Sequence, residues 1–532
     1  MRRICGTICG VAVLALMSST AISEELVLGI GTEPSSIDPN FYNFPQNHAI
    51  GDHWAETLVL KDNKQNATPL LATSWNPLPN DNKVWEFKLR KGVKFTDGSP
   101  FTADDVLATH KYALGVKTGS PPGRYQRNKT LTKIDDYTIH VTTGSAYPLM
   151  DKEMAMVHIV QKKMAATMVT GDYNAGKATI GTGPYKFVEW VPGERVVFEP
   201  NPDYYGTKAK WSKVTFRPIK SDPARLAALL SGAVDIIDYV PTNDLDDLRK
   251  NPKLALTEYP SNRVIYFWPD QSRYDSPFVK NNDGTPAIPN PLRNIKVREA
   301  ISLAINRKAI VDRVMSGAGI EAEQMSPEFI FGSNPKLPKL KYDPERAKKL
   351  LAEAGWPDGF QLTIHGPNDR YVNDEKVSET VAQMLTKIGI KSKVVTMPKA
   401  TYFGKTRAGD NPLGLPDIPQ FSFFMMGSGS NLGDGGSQLQ FSHHAYYPLK
   451  NMGVGNRGRY NNMNVDALML AQMSETTVEK RRKQIQDGIA IVMKDWGFIP
   501  SHYQKNIWAH RKDLTYGGHT NEKTKAMLVS KK

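Results

Sequence analysis

Apolar and polar positions change their spacing in a regular order along residues 214–237. Residues 214–219 are rich in β-branched and aromatic residues, which predicts a strand. Leucines then recur at helical spacing after Asp222, predicted to cap a helix, and Pro223, which suits a first helical turn. Residues 234–237 predict the next strand. The segment therefore predicts one strand–helix–strand unit.

The same order of patterns returns far along the chain, at residues 343–396. Asp343 is a capping residue type and Gly355 favours a helix end, so a helix is predicted between them. Two β-branched runs follow, separated by apolar residues at helical spacing over residues 377–388. Because the two units are distant in sequence, we predict two α/β lobes with a cleft between them.

The first residues have the pattern of a secretory signal. Arg2 and Arg3 precede a compact apolar run at residues 4–17, and small or polar residues follow up to Ser23. The apolar run is shorter than the ~20 residues that span a bilayer, which disfavours an uncleaved anchor. We predict cleavage after Ser23 and export of the mature chain, residues 24–532, to the periplasm.

The composition of the chain disfavours several classes of function. Both cysteines, Cys5 and Cys9, belong to the predicted signal, so the mature chain has no thiol for catalysis or metal binding. The formal net charge is +14, but the basic residues are spread among 54 acidic ones. Their densest run, residues 479–483, is interpreted as a solvated helix face. Without a basic stripe, and with export, nucleic-acid binding is not predicted.

Enzyme motifs are incomplete. Residues 171–178 approach a phosphate-binding loop, but Ala178 replaces the serine or threonine that would contact magnesium. No G-x-S-x-G nucleophile motif occurs. Asp104 and Asp105 are adjacent, and adjacent side chains on a helix point apart, so they do not form a catalytic pair. The chain is predicted not to be an enzyme, and a secreted hydrolase is the alternative from another class.

Histidines offer no ordered metal site. His443 and His444 are adjacent, and His48 and His53 are five apart, but no H-x₃-H or H-E-x-x-H pattern occurs. We predict no cofactor and no metal ligands. A metal or metal chelate as the transported solute remains an alternative, and loss of binding after chelation would favour it.

Residues 85–106, with the sequence WEFKLRKGVKFTDGSPFTADDV, resemble the signature of the family 5 extracellular solute-binding proteins. Residues 33–39, 181–185, 297–307 and 347–356 match further segments in the family's order. The resemblance therefore covers nearly all of the mature chain.

This resemblance implies an α/β fold of the periplasmic binding protein type, a type II-like two-lobed clamshell with an extra subdomain on lobe I. It implies capture of a short peptide or peptide-like solute in the interlobe cleft and delivery to an inner-membrane ABC permease, without chemistry on the solute. A sugar, an opine, a metal chelate or haem are alternative solutes. A monomer is the default for this architecture.

The predicted domain boundaries follow from the same comparison. The signal occupies residues 1–23, and the extra subdomain of lobe I occupies residues 51–189. Lobe II is predicted over residues 271–479. The core of lobe I is predicted to combine three segments, residues 24–50, 190–270 and 480–532.

Among the ligand-binding candidates, Tyr42 and Asn43 follow a segment that lines the cleft in relatives, and Trp268 lies near the predicted crossing between the lobes. Peptide binders of the family carry an aspartate in a segment that corresponds here to residues 423–436, where Asp434 is the acid. A turn residue satisfying its own backbone is the alternative for Asp434. Arginines in a Gly/Asn-rich stretch could pair with a ligand carboxylate. The predicted ligand-binding residues are Tyr42, Asn43, Trp268, Met426, Gly427, Asp434, Arg457 and Arg459.

Overall fold

The computed structural model describes residues 24–118, 120–407, 420–450 and 452–532. The predicted signal and its cleavage site lie outside these residues, so the structure does not address them. Within the described part of the chain, no helix is long and apolar enough to cross a membrane.

The strands are short except where the lobes join. They are β1 (Glu25–Ile30), β2 (Val59–Lys61), β3 (Ala67–Pro69), β4 (Ala72–Leu78), β5 (Asp81–Leu89), β6 (Lys129–Asp135), β7 (Thr138–Thr143), β8 (Tyr185–Val191), β9 (Arg195–Pro200), β10 (Lys213–Pro218), β11 (Ile236–Ile237), β12 (Leu254–Pro269), β13 (Val279–Lys280), β14 (Gly319–Glu321), β15 (Gln361–Pro367), β16 (Lys391–Met397), β17 (Phe423–Gly429), β18 (Ile499–Arg511), β19 (Leu514–Tyr516) and β20 (Val529–Lys531).

The helices cover the sheet faces and fill the ends of the lobes. They are α1 (Pro45–Trp54), α2 (Ala103–Gly115), α3 (Met150–Met154), α4 (Lys162–Thr167), α5 (Thr170–Asn174), α6 (Asp222–Leu230), α7 (Leu245–Lys250), α8 (Ile295–Ala304), α9 (Arg307–Ala309), α10 (Pro344–Glu353), α11 (Asp374–Thr386), α12 (Lys399–Arg407), α13 (Gly435–His443), α14 (Met463–Gln472) and α15 (Val478–Lys494).

One sheet continues through both lobes. Its strand order is β13-β15-β17-β12-β18-β11-β1-β10-β9-β8, with β16 on β15 and β14 on β18. In lobe I, β1 pairs in parallel with both β10 and β11, so α6 connects two parallel strands across it. In lobe II, β15 is parallel to β16 and β17. Both predicted strand–helix–strand units are therefore present, and the two-lobed α/β clamshell is confirmed.

The helix starts follow local side-chain chemistry. Asp343 accepts a hydrogen bond from the backbone N–H of Arg346, which caps α10 as predicted. The N-cap of α6 differs from the prediction, because Ser221 holds that position and Asp222 lies in the first turn. There Asp222 accepts a 2.6 Å hydrogen bond from the guanidinium of Arg225.

Two long antiparallel strands, β12 and β18, connect the lobes. Their pairing register shifts between Pro260 and Val264, where the ladder of hydrogen bonds is interrupted. Such an irregularity bends a strand locally. The register shifts again between Ile265 and Tyr266, so the two strands that join the lobes are paired irregularly at their crossing.

The extra subdomain is a four-stranded sheet of order β4-β5-β7-β6 covered by α2. The family signature lies here, since β5 is followed by a tight turn in which Gly98 has φ +85°. Thr102 and Asp105 bond reciprocally at the start of α2. Phe87, Phe95 and other apolar residues of the signature form the buried core beneath the turn.

The structure places two segments differently from the predicted boundaries. The helix α15 was expected in lobe I, but its buried Ile485 and Ile489 pack with Leu439 of α13 and Met469 of α14. It therefore belongs to lobe II, and the chain returns to lobe I only through β18. The strand β8 belongs to the lobe I sheet, although part of it was assigned to the subdomain.

Gly181 occupies a position where no side chain fits. A Cβ at this residue would overlap the carbonyl oxygen of Trp54 at the end of α1. We expect Gly181→Ala to lower the free energy of unfolding by about 3 kcal/mol, since backbone has to move. Urea unfolding measures this. Gly171→Ala is the matched control because nothing lies within 4 Å of its Cβ; equal stability of the two variants would contradict the packing argument.

Candidate functional site

A cavity of about 1080 Å³ lies between the lobes. Lobe I contributes the residues that follow β1 and β11, and lobe II contributes residues 368–376, which follow β15. The middle of β18, residues 504–508, and Glu522 complete its wall. Because parallel strands place their carboxyl ends at one edge, both lobes present loops to the same space.

An ion pair crosses this cavity wall. The Nε of Arg263 is 2.7 Å from one oxygen of Glu522, and a terminal guanidinium nitrogen is 3.1 Å from the other. Their side chains are only 13% and 11% exposed. Burial alone would raise the pKa of Glu522, but Arg263 outweighs burial and lowers it. The carboxylate is therefore charged at neutral pH, and so is its partner.

Tyr371 lies between two guanidinium groups. The Arg370 guanidinium is 5.0 Å from the centre of its ring, and that of Arg263 is 5.9 Å away. Asp374 holds this loop by accepting hydrogen bonds from the backbone N–H of Arg370 and of Tyr371. Among the described residues, no carboxylate is within ion-pair distance of the Arg370 guanidinium. Its positive charge therefore faces the cavity without a direct ion pair, although together with Arg263 it lowers the pKa of Glu522.

Tyr239 lines the opposite side in a strained conformation, with φ +48°. The buried guanidinium of Arg225 stabilises it by donating to the carbonyl oxygens of Asp238 and Tyr239, at 2.9 and 2.6 Å. The Tyr239 hydroxyl accepts a 2.7 Å hydrogen bond from Gln46. Strain of this kind persists where the surroundings determine the backbone, and it is frequent at ligand sites.

Of the predicted site residues, Gly427 is hydrogen-bonded to a residue that lines this cavity. Its backbone N–H donates a 2.9 Å hydrogen bond to the Tyr371 hydroxyl. A Cβ at residue 427 would be 2.5 Å from the Tyr371 ring and 2.8 Å from Ile265. The glycine therefore allows the aromatic ring to lie against the strand.

Asp434 lies in a structural position. Its side chain is fully buried, caps α13 through the backbone N–H of Ser437, and pairs with Arg481. The two Arg481–Asp434 hydrogen bonds are 2.7 and 2.9 Å long. This geometry supports the alternative interpretation of Asp434, in which its side chain stabilises the local structure.

Trp268 and Met426 belong to the core of lobe II. Trp268 is 1% exposed and packs against Phe424 and His443. Met426, also buried, is 3.8 Å through its sulfur from the guanidinium of Arg457. Trp268 does not line the interlobe cavity, because the crossing strand turns this face into the lobe, and its contact with ligand stays a prediction.

The remaining candidates are partly exposed and lie outside the cavity lining. Tyr42 and Asn43 precede α1, where the Asn43 side chain contacts the ring of His48 at 2.9 Å. Arg457 contacts the Thr406 hydroxyl. Arg459 donates to the carbonyl of Asn456 and its guanidinium is 3.9 Å from the centre of the Tyr446 ring. The structure does not bring these four residues together.

The family model described as "Bacterial extracellular solute-binding proteins, family 5 Middle" matches residues 66–440, more than half of the chain. The chain belongs to this family.

Individual family 5 proteins resemble it along most of its length. Heme-binding protein A of Haemophilus influenzae is 29% identical over 467 residues, 81% of this chain and 78% of that protein. A glutathione-binding protein of Pectobacterium atrosepticum is 29% identical over 73% of this chain and 72% of its own.

Solved structures agree in fold. HbpA2 from Haemophilus parasuis is 26% identical and superimposes with a TM-score of 0.78, covering 96% of this chain and all of that one. The periplasmic binding protein DppA from Helicobacter pylori in complex with the peptide STSA gives a TM-score of 0.74 at 23% identity, covering 95% of this chain and 98% of that one. At this identity, the similarity to DppA shows a shared fold and nothing further.

Four cavity residues of this family 5 protein were not predicted from sequence: Arg263, Arg370, Tyr371 and Glu522. Arg263 does carry a signal, because a charge directly precedes the apolar run of a long strand. The others are in polar loops with no periodicity. Only the tertiary fold brings residues 263, 370 and 522 to one cavity.

Proposed function

We propose that this protein is the periplasmic substrate-binding component of an ABC importer and captures a short peptide or peptide-like solute. The signal is cleaved after Ser23, the mature chain acts as a monomer, and an inner-membrane permease receives the solute. The protein performs no chemistry on it.

The observation that carries this proposal is the arrangement of charge in the interlobe cavity. Arg370 offers a guanidinium, a group that binds carboxylates bidentately. The Arg263–Glu522 pair places a second cation and an anion on the same wall. A zwitterion with an extended polar backbone matches this combination better than a neutral sugar does.

Size and shape support the same class of solute. Small-molecule cavities are commonly about 300–1,000 Å³, so this one accommodates a solute of several residues. The rings of Tyr239 and Tyr371 add apolar surface beside the charged groups. Relatives are named for haem, glutathione and D,D-dipeptide binding, and a peptide-like solute is common to the last two.

The proposed mechanism of solute capture depends on the two strands, β12 and β18, that join the lobes. Closure of the lobes removes water from the cavity and strengthens the polar contacts inside. The solute shifts the equilibrium towards the closed form by its greater affinity for that form. The permease then recognises the closed arrangement of the two lobes.

Native mass spectrometry of protein purified from periplasm without denaturation tests the proposal. We expect a co-purified mass that fragments as a peptide series. A discrete mass of another class would keep the transport role and replace the solute. Protein that is empty and fails to bind di- to octapeptides by calorimetry would contradict peptide capture.

A further inference from the structure

Four lysines and one aspartate lie close together where lobe I, its subdomain and lobe II meet. Asp52 of α1 accepts hydrogen bonds from the ammonium groups of Lys523 at 2.9 Å and of Lys525 at 2.6 Å. Lys61 and Lys152 of the subdomain extend the group, which we call the lysine cluster. Glu522, which lines the cavity, is the residue next to Lys523.

Three histidines lie around the lysine cluster, and they do not compensate its positive charge. His158 contacts the second oxygen of Asp52 at 2.8 Å, and His48 stacks on His158 with ring centres 5.5 Å apart. His519 is buried beside the same lysines. Burial lowers the pKa of all three histidines, that of His519 to about 3, so they are neutral at physiological pH.

The charges in the lysine cluster do not balance. Among the described residues, Asp52 is the only carboxylate within ion-pair distance of any of the four ammonium groups. Lys61 instead contacts the sulfur of Met156 and the carbonyl oxygen of Asn431, and Lys152 donates to the carbonyl oxygen of Gln65. Burial, together with the neighbouring lysines, lowers the pKa of Lys61 well below its usual value and that of Lys523 to about 8, so part of the positive charge is lost when no counter-ion is present. An anion among the four amino groups would favour their protonated forms.

The lysine cluster also lies on the closing contact of the lobes. Asn431, which Lys61 contacts, belongs to lobe II, and the neighbouring Leu432 packs on Leu149 and Met156 of the subdomain. An anion held here would therefore touch parts that separate when the lobes open. Its binding would favour the closed form directly.

We propose that the lysine cluster binds an anionic part of the solute carrying two or more negative charges, carboxylate or phosphate. This inference rests on the proposed function, because it names the charge class of the solute that the cleft captures. The cavity groups Arg370, Arg263 and Glu522 would then hold the zwitterionic part.

The test compares two dipeptides of equal length, glutamylglutamate and glutaminylglutamine, by calorimetry on the mature protein. We expect the acidic dipeptide to bind at least about 10-fold more tightly. Lys61→Met should remove that advantage. Lys483→Met, an exposed lysine on α15, is the matched control and should retain it. Equal affinities of the two dipeptides, or an advantage that survives Lys61→Met, would overturn the inference and leave solute capture intact.

Thermal stability separates a binding role from a structural one. Lys61 has no acidic partner, so Lys61→Met should leave the melting temperature of the unliganded protein unchanged or raise it. A lowered melting temperature with unchanged binding would show a structural lysine. Inorganic phosphate provides a further measurement. If phosphate raises the melting temperature of the parent protein but not that of Lys61→Met, and neither dipeptide binds, the anion site is supported and peptide capture is contradicted. No response to either dipeptide or to phosphate would overturn both.

The pH dependence has a defined sign. Burial lowers the pKa of Lys523 to about 8, with Asp52 opposing and Lys525 adding to the effect. The groups around it are Asp52, Lys525, Lys61, Lys152, His48, His158 and His519. A bound anion raises this pKa, so affinity for glutamylglutamate should fall as pH rises through about 8. An affinity that does not change between about pH 7 and 9 would contradict the assignment.

Discussion

Replacing Asp434 by alanine should lower the free energy of unfolding by about 3–5 kcal/mol, because it leaves the buried Arg481 guanidinium without its partner. The same change removes the N-cap of α13. Urea unfolding followed by circular dichroism measures the loss. The affinity for solute should stay within about twofold, since the side chain does not line the cavity.

Two further variants separate the loss of the ion pair from the loss of the helix cap. Asp434→Asn keeps an oxygen for the cap and removes the charge, so its stability should lie between those of the parent and Asp434→Ala. Asp487→Ala breaks an exposed pair with Lys483 on α15 and should cost no more than about 0.5 kcal/mol. A large loss of affinity in Asp434→Ala with unchanged stability would instead make Asp434 a ligand contact.

Replacing Arg370 by glutamine should weaken binding of a dipeptide by about 10- to 100-fold, because the guanidinium pairs with the carboxylate of the solute. Stability should change by less than about 0.5 kcal/mol, because the side chain forms no direct ion pair and Glu522 keeps its partner Arg263. Calorimetry gives both affinities, and Arg346→Gln, an exposed arginine on α10, is the control.

A modified ligand shows whether Arg370 acts through the carboxylate. The C-terminal amide of the same dipeptide should bind the parent protein as weakly as the acid binds Arg370→Gln. Combining the amide with the variant should then add little further loss. Independent, additive losses would place the carboxylate elsewhere in the cleft.

Much of the fold could be predicted because its determinants are local. The helix α10 starts and ends where capping and glycine chemistry require, and the two strand–helix–strand units follow from spacing alone. The turn of the family signature is equally local. What the sequence does not show is which charged residue faces inward. Arg481 and Arg482 are neighbours in one basic run, yet Arg481 is buried against Asp434 while Arg482 is 38% exposed.

The candidate site was less predictable for the same reason. Its groups come from a crossing strand, a loop of lobe II and the C-terminal segment, and no repeat or motif links them. Trp268 illustrates the same difficulty, because an aromatic residue near the lobe junction suggests a ligand contact, whereas in the structure its side chain packs in the core. The pleat of β12 decides which face each of its residues takes, and the sequence alone does not fix that face.

The path of the chain has a consequence for the order in which the two lobes can complete their cores. Lobe I contains β1 from the beginning of the chain, but its core also needs Trp508, Ala526 and Val529 from the end. Lobe II takes its core from one continuous stretch that begins in β12 and ends in β18. The second half of the molecule can therefore assemble its core before the last residues are available, while the core of the first half needs them. A chain that reaches the periplasm amino terminus first would complete lobe II before lobe I.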